Sequence, residues 1–262
     1  MSFEREAGVA REAALAGGEV IARHAAAGRR AATEKSADNP VTAADLEANA
    51  AITAILRRAF PGDAILSEET ADDSTRLGAS RVWVIDPLDG TKEFVAGVPE
   101  FAVSVALVVD GRPVAASLYQ PITRECFHAW RGGGAWLDGE RLAVSRQTEL
   151  AKSVLAASRT ETGRGQLDAV RARFARVEAI GSVAWKLAVI AAGRVDVWLS
   201  LAAKHEWDVC AGDLIVHEAG GTFRELGRGV RRYNSADVLL APPLAAGPEA
   251  LVSQLGGLAC SA

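Results

Sequence analysis

At 262 residues, 49% hydrophobic and 24% charged, the chain is long and apolar enough to bury a sizeable core, as one large domain or two small ones. Its formal net charge of −4 argues against a broad binder of nucleic-acid polymers, though it says little about a single nucleotide held in a pocket. No segment approaches the ~20 apolar residues of a membrane span, and the opening Met1 to Glu6 lacks a basic flank followed by an apolar core, so a soluble, cytoplasmic protein without membrane partners is expected.

The chain begins with an Ala-rich segment that predicts a helix from about Glu4 to Ala27, closed by Gly28. A second helix is expected from Ala43 to Phe60, ended by Pro61-Gly62, and Thr42 with Asp45 three residues on reads as its capping box. Short apolar runs predict strands at Ala64–Leu66, Val82–Ile85, Val103–Val109, Pro113–Leu118 and Cys126–Trp130, with Asp110-Gly111 as a hairpin turn. Gly132-Gly133-Gly134 falls between strands and reads as a flexible hairpin rather than a phosphate loop. After Leu142-Ala143-Val144 strand and helix patterns alternate: strand Val154–Ala157, helix Gln166–Phe174, strand Val177–Ile180, helix Val183–Ala192, strand Val195–Leu199 and helix Trp207–Ala219. The expectation is therefore α+β over residues 1–145, with a largely antiparallel sheet, and α/β over 146–262. Cys126, Cys210 and Cys260 have no paired spacing and are expected to be reduced, with no disulfide or zinc site.

The stretch richest in chemistry is Val82-Trp83-Val84-Ile85-Asp86-Pro87-Leu88-Asp89-Gly90-Thr91-Lys92-Glu93-Phe94, an apolar strand running into a tight turn that carries two carboxylates. Pro87 fixes one backbone angle and Gly90 admits a conformation closed to other residues, so Asp86 and Asp89 can converge on one point. Close carboxylates repel unless a cation lies between them, and all-oxygen ligands suit Mg²⁺ or Mn²⁺ rather than zinc. A bland surface turn would use the same residue types. Two further segments favour the site: Leu66-Ser67-Glu68-Glu69 ends an apolar run in acids, and Glu206-Trp207-Asp208 sets a carboxylate at a helix start.

Together these segments resemble the lithium-sensitive, Mg²⁺-dependent phosphomonoesterase superfamily of inositol monophosphatases, fructose bisphosphatases and 3'(2'),5'-bisphosphate nucleotidases. The resemblance runs from Asn39-Pro40-Val41-Thr42-Ala43-Ala44-Asp45 through Ser67-Glu68-Glu69, Asp86 to Thr91 and Gly181-Ser182 to Trp207-Asp208 and Gly220-Gly221. It implies a layered α-β-α-β-α sandwich with the site between two subdomains, 1–145 supplying most metal ligands and 146–262 supplying Asp208 and pocket residues. Thr91-Lys92-Glu93-Phe94, Arg232-Tyr233-Asn234 and the lack of any carboxylate from Val197 to His205 look most like the bisphosphate nucleotidase branch.

The activity implied by the resemblance is hydrolysis of the 3'-phosphate of adenosine 3',5'-bisphosphate to AMP by metal-activated water, using two or three Mg²⁺, with Mn²⁺ a substitute and Li⁺ an inhibitor. Glu68, Asp86, Asp89, Asp208 and the Leu88 carbonyl would hold metal; Asp45 and Thr91, with Glu68, would serve the attacking water. Gly90, Thr91, Lys92, Gly181, Ser182, Lys204 and Arg232 would bind substrate. Lys186 and Arg231 are weaker candidates, better explained as solvated side chains; Glu69 is as readily a solvated or supporting acid as a site residue, and Trp207 is expected to pack behind Asp208. His205 and His217 are not needed as bases. Two other readings stand beside this one: an inositol 1-phosphate or broad sugar-phosphate phosphatase of the same superfamily, and a non-catalytic metal- or nucleotide-binding protein on the same fold. A homodimer is compatible with either.

Overall fold

The computed structural model describes residues 2–36 and 39–257. Helix α1 (Glu4–Ala26) leads through a hairpin, β1 (Ala32–Ser36) and β2 (Asn39–Thr42), into α2 (Ala43–Ala59). Next come β3 (Ala64–Ser67), β4 (Arg81–Asp89), α3 (Thr91–Ala96), β5 (Ala102–Val109), β6 (Arg112–Gln120), β7 (Glu125–Trp130), β8 (Gly134–Leu137) and β9 (Glu140–Arg141). The remainder holds β10 (Val154–Ser158), α4 (Arg159–Gly163), α5 (Asp168–Arg171), β11 (Arg176–Ile180), α6 (Val183–Ala191), β12 (Val197–Ser200), β13 (Lys204–His205) and α7 (Glu206–Glu218). It closes with β14 (Thr222–Glu225), β15 (Leu239–Leu240), β16 (Leu244–Gly247) and α8 (Glu249–Leu255).

Strands β3 to β9 form a seven-stranded sheet in sequence order. Only its β3–β4 pair is parallel, and every later pairing in it is antiparallel. The second sheet is five-stranded, ordered β11-β10-β12-β16-β14, parallel at β11-β10-β12 and antiparallel beyond.

Strand periodicity explains the layering, because successive side chains point to opposite faces. On β4, Trp83 and Ile85 pack with Ile21, Ile52 and Leu56 of α1 and α2. Val82 and Val84 point the other way, into a core shared with Leu187 of α6, Leu214 of α7 and Trp198 of β12. On the far side of the five-stranded sheet, Leu155, Val197 and Leu199 pack with Leu251, Val252 and Leu255 of α8. The order is thus helices, sheet, helices, sheet, helix. Both faces of β4 to β6 are covered, which is why those strands read as near-continuous apolar runs. Gly17 lets α1 lie close on α2: a Cβ there would stand 2.7 Å from Ile52 Cδ1.

Most elements expected from the sequence are present within a residue or two, including the Asp110-Gly111 turn, where both residues have positive φ as a two-residue hairpin requires. The expected helix Gln166–Phe174 is a correction, for only Asp168–Arg171 is α-helical. Its apolar spacing is nonetheless meaningful, since Leu167, Val170 and Phe174 are all buried in the core beneath α8. Cys126 and Cys210 are buried thiols without a disulfide, and Cys260 lies outside the described residues. Among the described residues no helix is long and apolar enough to cross a membrane.

Candidate active site

One cavity of about 430 Å³ opens where the C-terminal ends of β3 and β4 meet the starts of α3, α6 and α7. β4 continues through Asp86, Pro87 and Leu88 to Asp89, and its pairing with β5 shifts register between Asp86 and Asp89. That irregularity turns both carboxylates to one side. Gly90 follows at φ +97°, and a Cβ there would come within 3.0 Å of the Glu100 carbonyl and 3.1 Å of Ser182 Cβ, so only glycine suits both the angle and the space. α7 contributes Asp208 at its third position, with His205 N–H donating to Asp208 Oδ2 at 2.8 Å.

One carboxylate oxygen from each of Asp86, Asp89 and Asp208 lies within 4.8 Å of the others. Glu68, just beyond β3, lines the same cavity. Burial and the charges of Glu68, Asp89 and Asp208 push the Asp86 carboxyl well above the usual range. Burial and Asp89 do the same to Asp208, while Asp89 is raised by burial despite hydrogen bonds from Ser182 Oγ and the Ala184 amide. Acids that cannot ionise together at neutral pH without a neutralising charge are a fit for a divalent cation, and the all-oxygen donor set matches Mg²⁺ or Mn²⁺.

At the edge of this cluster Thr91 Oγ1 donates to Asp45 Oδ1 at 3.0 Å, with the Leu88 carbonyl a second acceptor at 3.1 Å. Asp45 Oδ2 accepts from the Thr42 amide at 2.8 Å and the Thr42 hydroxyl at 2.6 Å, the capping box of α2. The helix-capping and catalytic readings of Asp45 are therefore met by different oxygens of one carboxylate. Burial raises the Asp45 carboxyl against those hydrogen bonds.

Glu68, Asp86, Leu88, Asp89, Gly90, Thr91, Lys92, Gly181, Ser182, Lys204 and Asp208 all line the cavity, and Asp45 reaches it through Thr91. Ser182 does two jobs: its Oγ accepts from the Trp185 amide at 2.9 Å, capping α6, and donates to Asp89 Oδ2 at 2.5 Å. Arg232 is a correction. Its guanidinium donates to the Asp110 carbonyl at 2.6 Å and packs over Gly111, outside the cavity, because the Tyr233 amide is bonded to the Gly111 carbonyl and holds that loop on the β5–β6 turn. Arg231 is likewise engaged elsewhere, with Glu206 at 2.7 Å.

Lys186 is the reverse case. Expected at the surface, it is buried at 2% exposure, lines the cavity, and donates from Nζ to the Ile180 carbonyl at 3.0 Å. Burial pulls its pKa down to about 8. Glu93, Ser158, Thr160, Val183 and His205 also line the cavity, although the sequence does not single them out as pocket residues. Ser158 and Thr160 carry a usable signal, since they end and follow the strand β10, the C-terminal end being the one that carries the acids on β3 and β4. Trp207 stacks on His205 with centroids 4.5 Å apart and planes within 6°, and both rings line the cavity beside Asp208. The Asn39 side chain lies outside the description, but Pro40 of the same segment reaches the cavity.

Fold and site together define a layered α/β protein with a carboxylate centre suited to divalent metal between its two sheets. The profile of the inositol monophosphatase family matches residues 4–256, and the chain belongs to that family. It is 36% identical over 247 residues to the Nus factor SuhB of Haemophilus influenzae, covering 89% of this chain and 90% of that one. It is 37% identical over 227 residues to inositol monophosphatase 2 of Solanum lycopersicum, covering 81% and 84%. Among solved structures, the extragenic suppressor protein SuhB of Bartonella henselae superposes with a TM-score of 0.83 at 30% identity, over 95% of this chain and 96% of that one. CysQ of Bacteroides thetaiotaomicron gives 0.76 at 31%, over 94% and 98%. The protein is accordingly a phosphatase of the inositol monophosphatase superfamily, a metal-dependent family acting on small phosphate esters. The narrower assignment to the bisphosphate nucleotidase branch is not supported by these relatives, which favour SuhB and inositol monophosphatase.

Proposed function

We propose that the protein is a Mg²⁺-dependent phosphatase of inositol 1-phosphate or a related sugar phosphate. The observation that carries this reading is the convergence of Asp86, Asp89 and Asp208 within 4.8 Å beside a Thr91 hydroxyl already hydrogen-bonded to Asp45. Glu68, Asp86, Asp89, Asp208 and the Leu88 carbonyl would hold two or three Mg²⁺, and Mn²⁺ would substitute. When bound, the cations supply the positive charge that acidifies a water and stabilises negative charge on phosphate oxygens.

The chain's own residues do the positioning. With its proton directed toward Asp45 and the Leu88 carbonyl, Thr91 Oγ1 keeps a lone pair to accept from a water, which fixes where that water's oxygen points. Asp45, its carboxyl raised by burial, is suited to share the Thr91 proton. Gly90 and Thr91 amides would receive phosphate oxygens, and Gly181 and Ser182 would shape the leaving-group side of the cavity. Lys92 and Lys204, joined by Lys186, would draw an anionic substrate inward.

A second reading, a nucleotide bearing two phosphates, is favoured by one observation: Lys92, Lys186 and Lys204 line the cavity, while Val197 to His205 offers no carboxylate to hold a neutral polyol. The test is phosphate release from inositol 1-phosphate, fructose 1,6-bisphosphate and adenosine 3',5'-bisphosphate, with Mg²⁺ and with chelator, compared as kcat/KM. Mg²⁺-dependent preference for the inositol or sugar ester supports the first reading, and preference for the nucleotide installs the second. Release from none would leave a non-catalytic binding protein. Activity unchanged in high Li⁺ would count against the metal mechanism in either form, since a singly charged ion in a Mg²⁺ position cannot supply the same field.

A further inference from the structure

A network of charged and amide side chains ties the β3–β4 connection to the start of α7. Arg76 sits in a single 3₁₀ turn, Thr75–Gly78, on the segment joining β3 to β4, and is only 2% exposed. Its Nε and Nη2 hold Asp72 Oδ2 at 3.0 and 2.7 Å. Its Nη1 donates to Asn234 Oδ1 at 2.7 Å, and Nη2 to the Ser235 carbonyl at 3.0 Å. Asn234 returns a bond from Nδ2 to the Arg76 carbonyl at 3.0 Å. Two segments 158 residues apart are thus joined by reciprocal side-chain bonds.

The same loop is gripped from its other side by Glu206, the first residue of α7, which is fully buried. Glu206 Oε2 accepts the Asn234 amide at 2.7 Å, and Oε1 accepts the Ser235 amide at 3.1 Å and Arg231 Nη2 at 2.7 Å. A buried carboxylate with that many donors is held firmly, because each is a charge-assisted bond in a low-dielectric setting. Glu206 is two residues before Asp208. On the opposite side, the chain that carries Arg76 also carries Glu68, and its start is pinned to α2 by Ser67 Oγ donating to Asn49 Oδ1 at 2.8 Å. The charge of Glu68 bears on both Asp86 and Asp208. These two acids, Glu68 and Asp208, come from elements far apart in sequence, and Arg76, Asn234 and Glu206 form a bonded path between the segments that carry them.

We propose that Arg76, Asn234 and Glu206 are positioning residues that set the separation of Glu68 from Asp208, and so tune how tightly the acid cluster takes up a divalent cation. Outer hydrogen-bond partners that orient metal ligands change affinity by about 10- to 100-fold when removed. None of the three lines the cavity, so they act only through the segments that carry Glu68 and Asp208. The inference rests on the metal reading above and adds a control on affinity at a distance.

The decisive variant is Asn234→Gly. Asn234 has φ +63°, which glycine keeps without strain, so only the side-chain amide is lost. Mn²⁺ uptake by the metal-free protein is titrated by the EPR signal of unbound Mn²⁺, alongside thermal unfolding. Mn²⁺ binding is expected to weaken by about 10-fold. The Mg²⁺ concentration for half-maximal activity should rise in step, while kcat at saturating Mg²⁺ stays within about twofold. Arg76→Met should do the same, and the double variant should be no weaker than either single, as members of one path are not additive. A lowered Tm with an unchanged Mn²⁺ titration would reduce the network to scaffold and overturn the proposal. Should Arg76→Met not fold, Asn234→Gly decides alone. If the wild-type protein takes up no Mn²⁺, the metal reading itself fails, a result distinct from a wild-type titration that the variants leave unmoved.

Discussion

The two walls of the cavity are built on different terms. The acid wall comes from the ends of β3 and β4 and the first turn of α7, where the carboxylates lie within a few residues of an element's end. The basic wall comes from Lys92 on α3, Lys186 on α6 and Lys204 on β13, side chains with no common motif that meet only once both sheets are in place. One wall is set by where the backbone of two strands and a helix delivers its acids. Its neighbour is a matter of which side chains the surrounding elements carry, so the first should govern turnover and the second the choice of substrate.

The severest break in that contrast is Asp86→Asn. Turnover should fall by at least ~10³, since the acid on which the Glu68, Asp89 and Asp208 charges all bear is gone, with metal uptake measured by Mn²⁺ titration lost alongside. The metal-free variant should unfold at a higher temperature than the metal-free wild type, because a buried, repelled carboxyl has been neutralised. Next in size is Thr91→Val, which keeps shape and removes the hydroxyl: kcat should drop by about 10² to 10³ while Mn²⁺ binding holds. Equal loss of both would place Thr91 among the ligands instead.

Lys204→Ala tests the basic wall. KM for a substrate with two phosphates should rise about 10-fold with little change for inositol 1-phosphate, consistent with one charge-assisted contact. A uniform change in kcat for all substrates would erase the division of labour. The smallest effect concerns neither wall. Asp213, on α7 five residues beyond Asp208, accepts from Tyr233 Oη at 2.7 Å, and burial raises its pKa from 3.8 to about 6. The folded state therefore keeps a proton that the unfolded chain releases, so this group's contribution is fully present below about pH 4 and is lost as pH rises through about 6. Urea unfolding of Asp213→Asn across pH 4 to 7 should lack that slope, a difference of roughly 2 to 3 kcal/mol over the range, with phosphatase kinetics unaltered.

The same division explains what could be read from the sequence. The acid wall was legible because Asp86, Asp89 and Asp208 sit in contiguous motifs where strand, turn and helix start are adjacent along the chain. Even the capping box of Thr42 and Asp45 could be read locally. Lys186 was not, because its helix is apolar on nearly every side and a lone lysine there suggests a surface position; only the assembled fold brings its ammonium to the Ile180 carbonyl. Arg232 failed for the opposite reason, being drawn away by the carbonyl of Asp110, 122 residues earlier, in the β5–β6 turn. Short strands such as β13 and β15, two residues each, carry no periodicity to detect, although their pairing is what brings Lys204 to the cavity edge.

Asp45 ties the integrity of a helix end to the readiness of a hydroxyl through one carboxylate. With Oδ2 holding the N-terminus of α2 and Oδ1 holding Thr91, fraying of that first turn and misorientation of the hydroxyl become a single event. Warming should therefore silence the enzyme before it unfolds, and amide exchange at Ala44 and Asp45 would report the fraction of molecules that are folded yet idle. Stabilising the helix by the usual replacement of one good cap for another is closed here: an Asn at position 45 must turn its NH₂ toward either the Thr42 amide or the Thr91 hydroxyl. The start of this helix is thereby bound to a composition that stability alone would leave open.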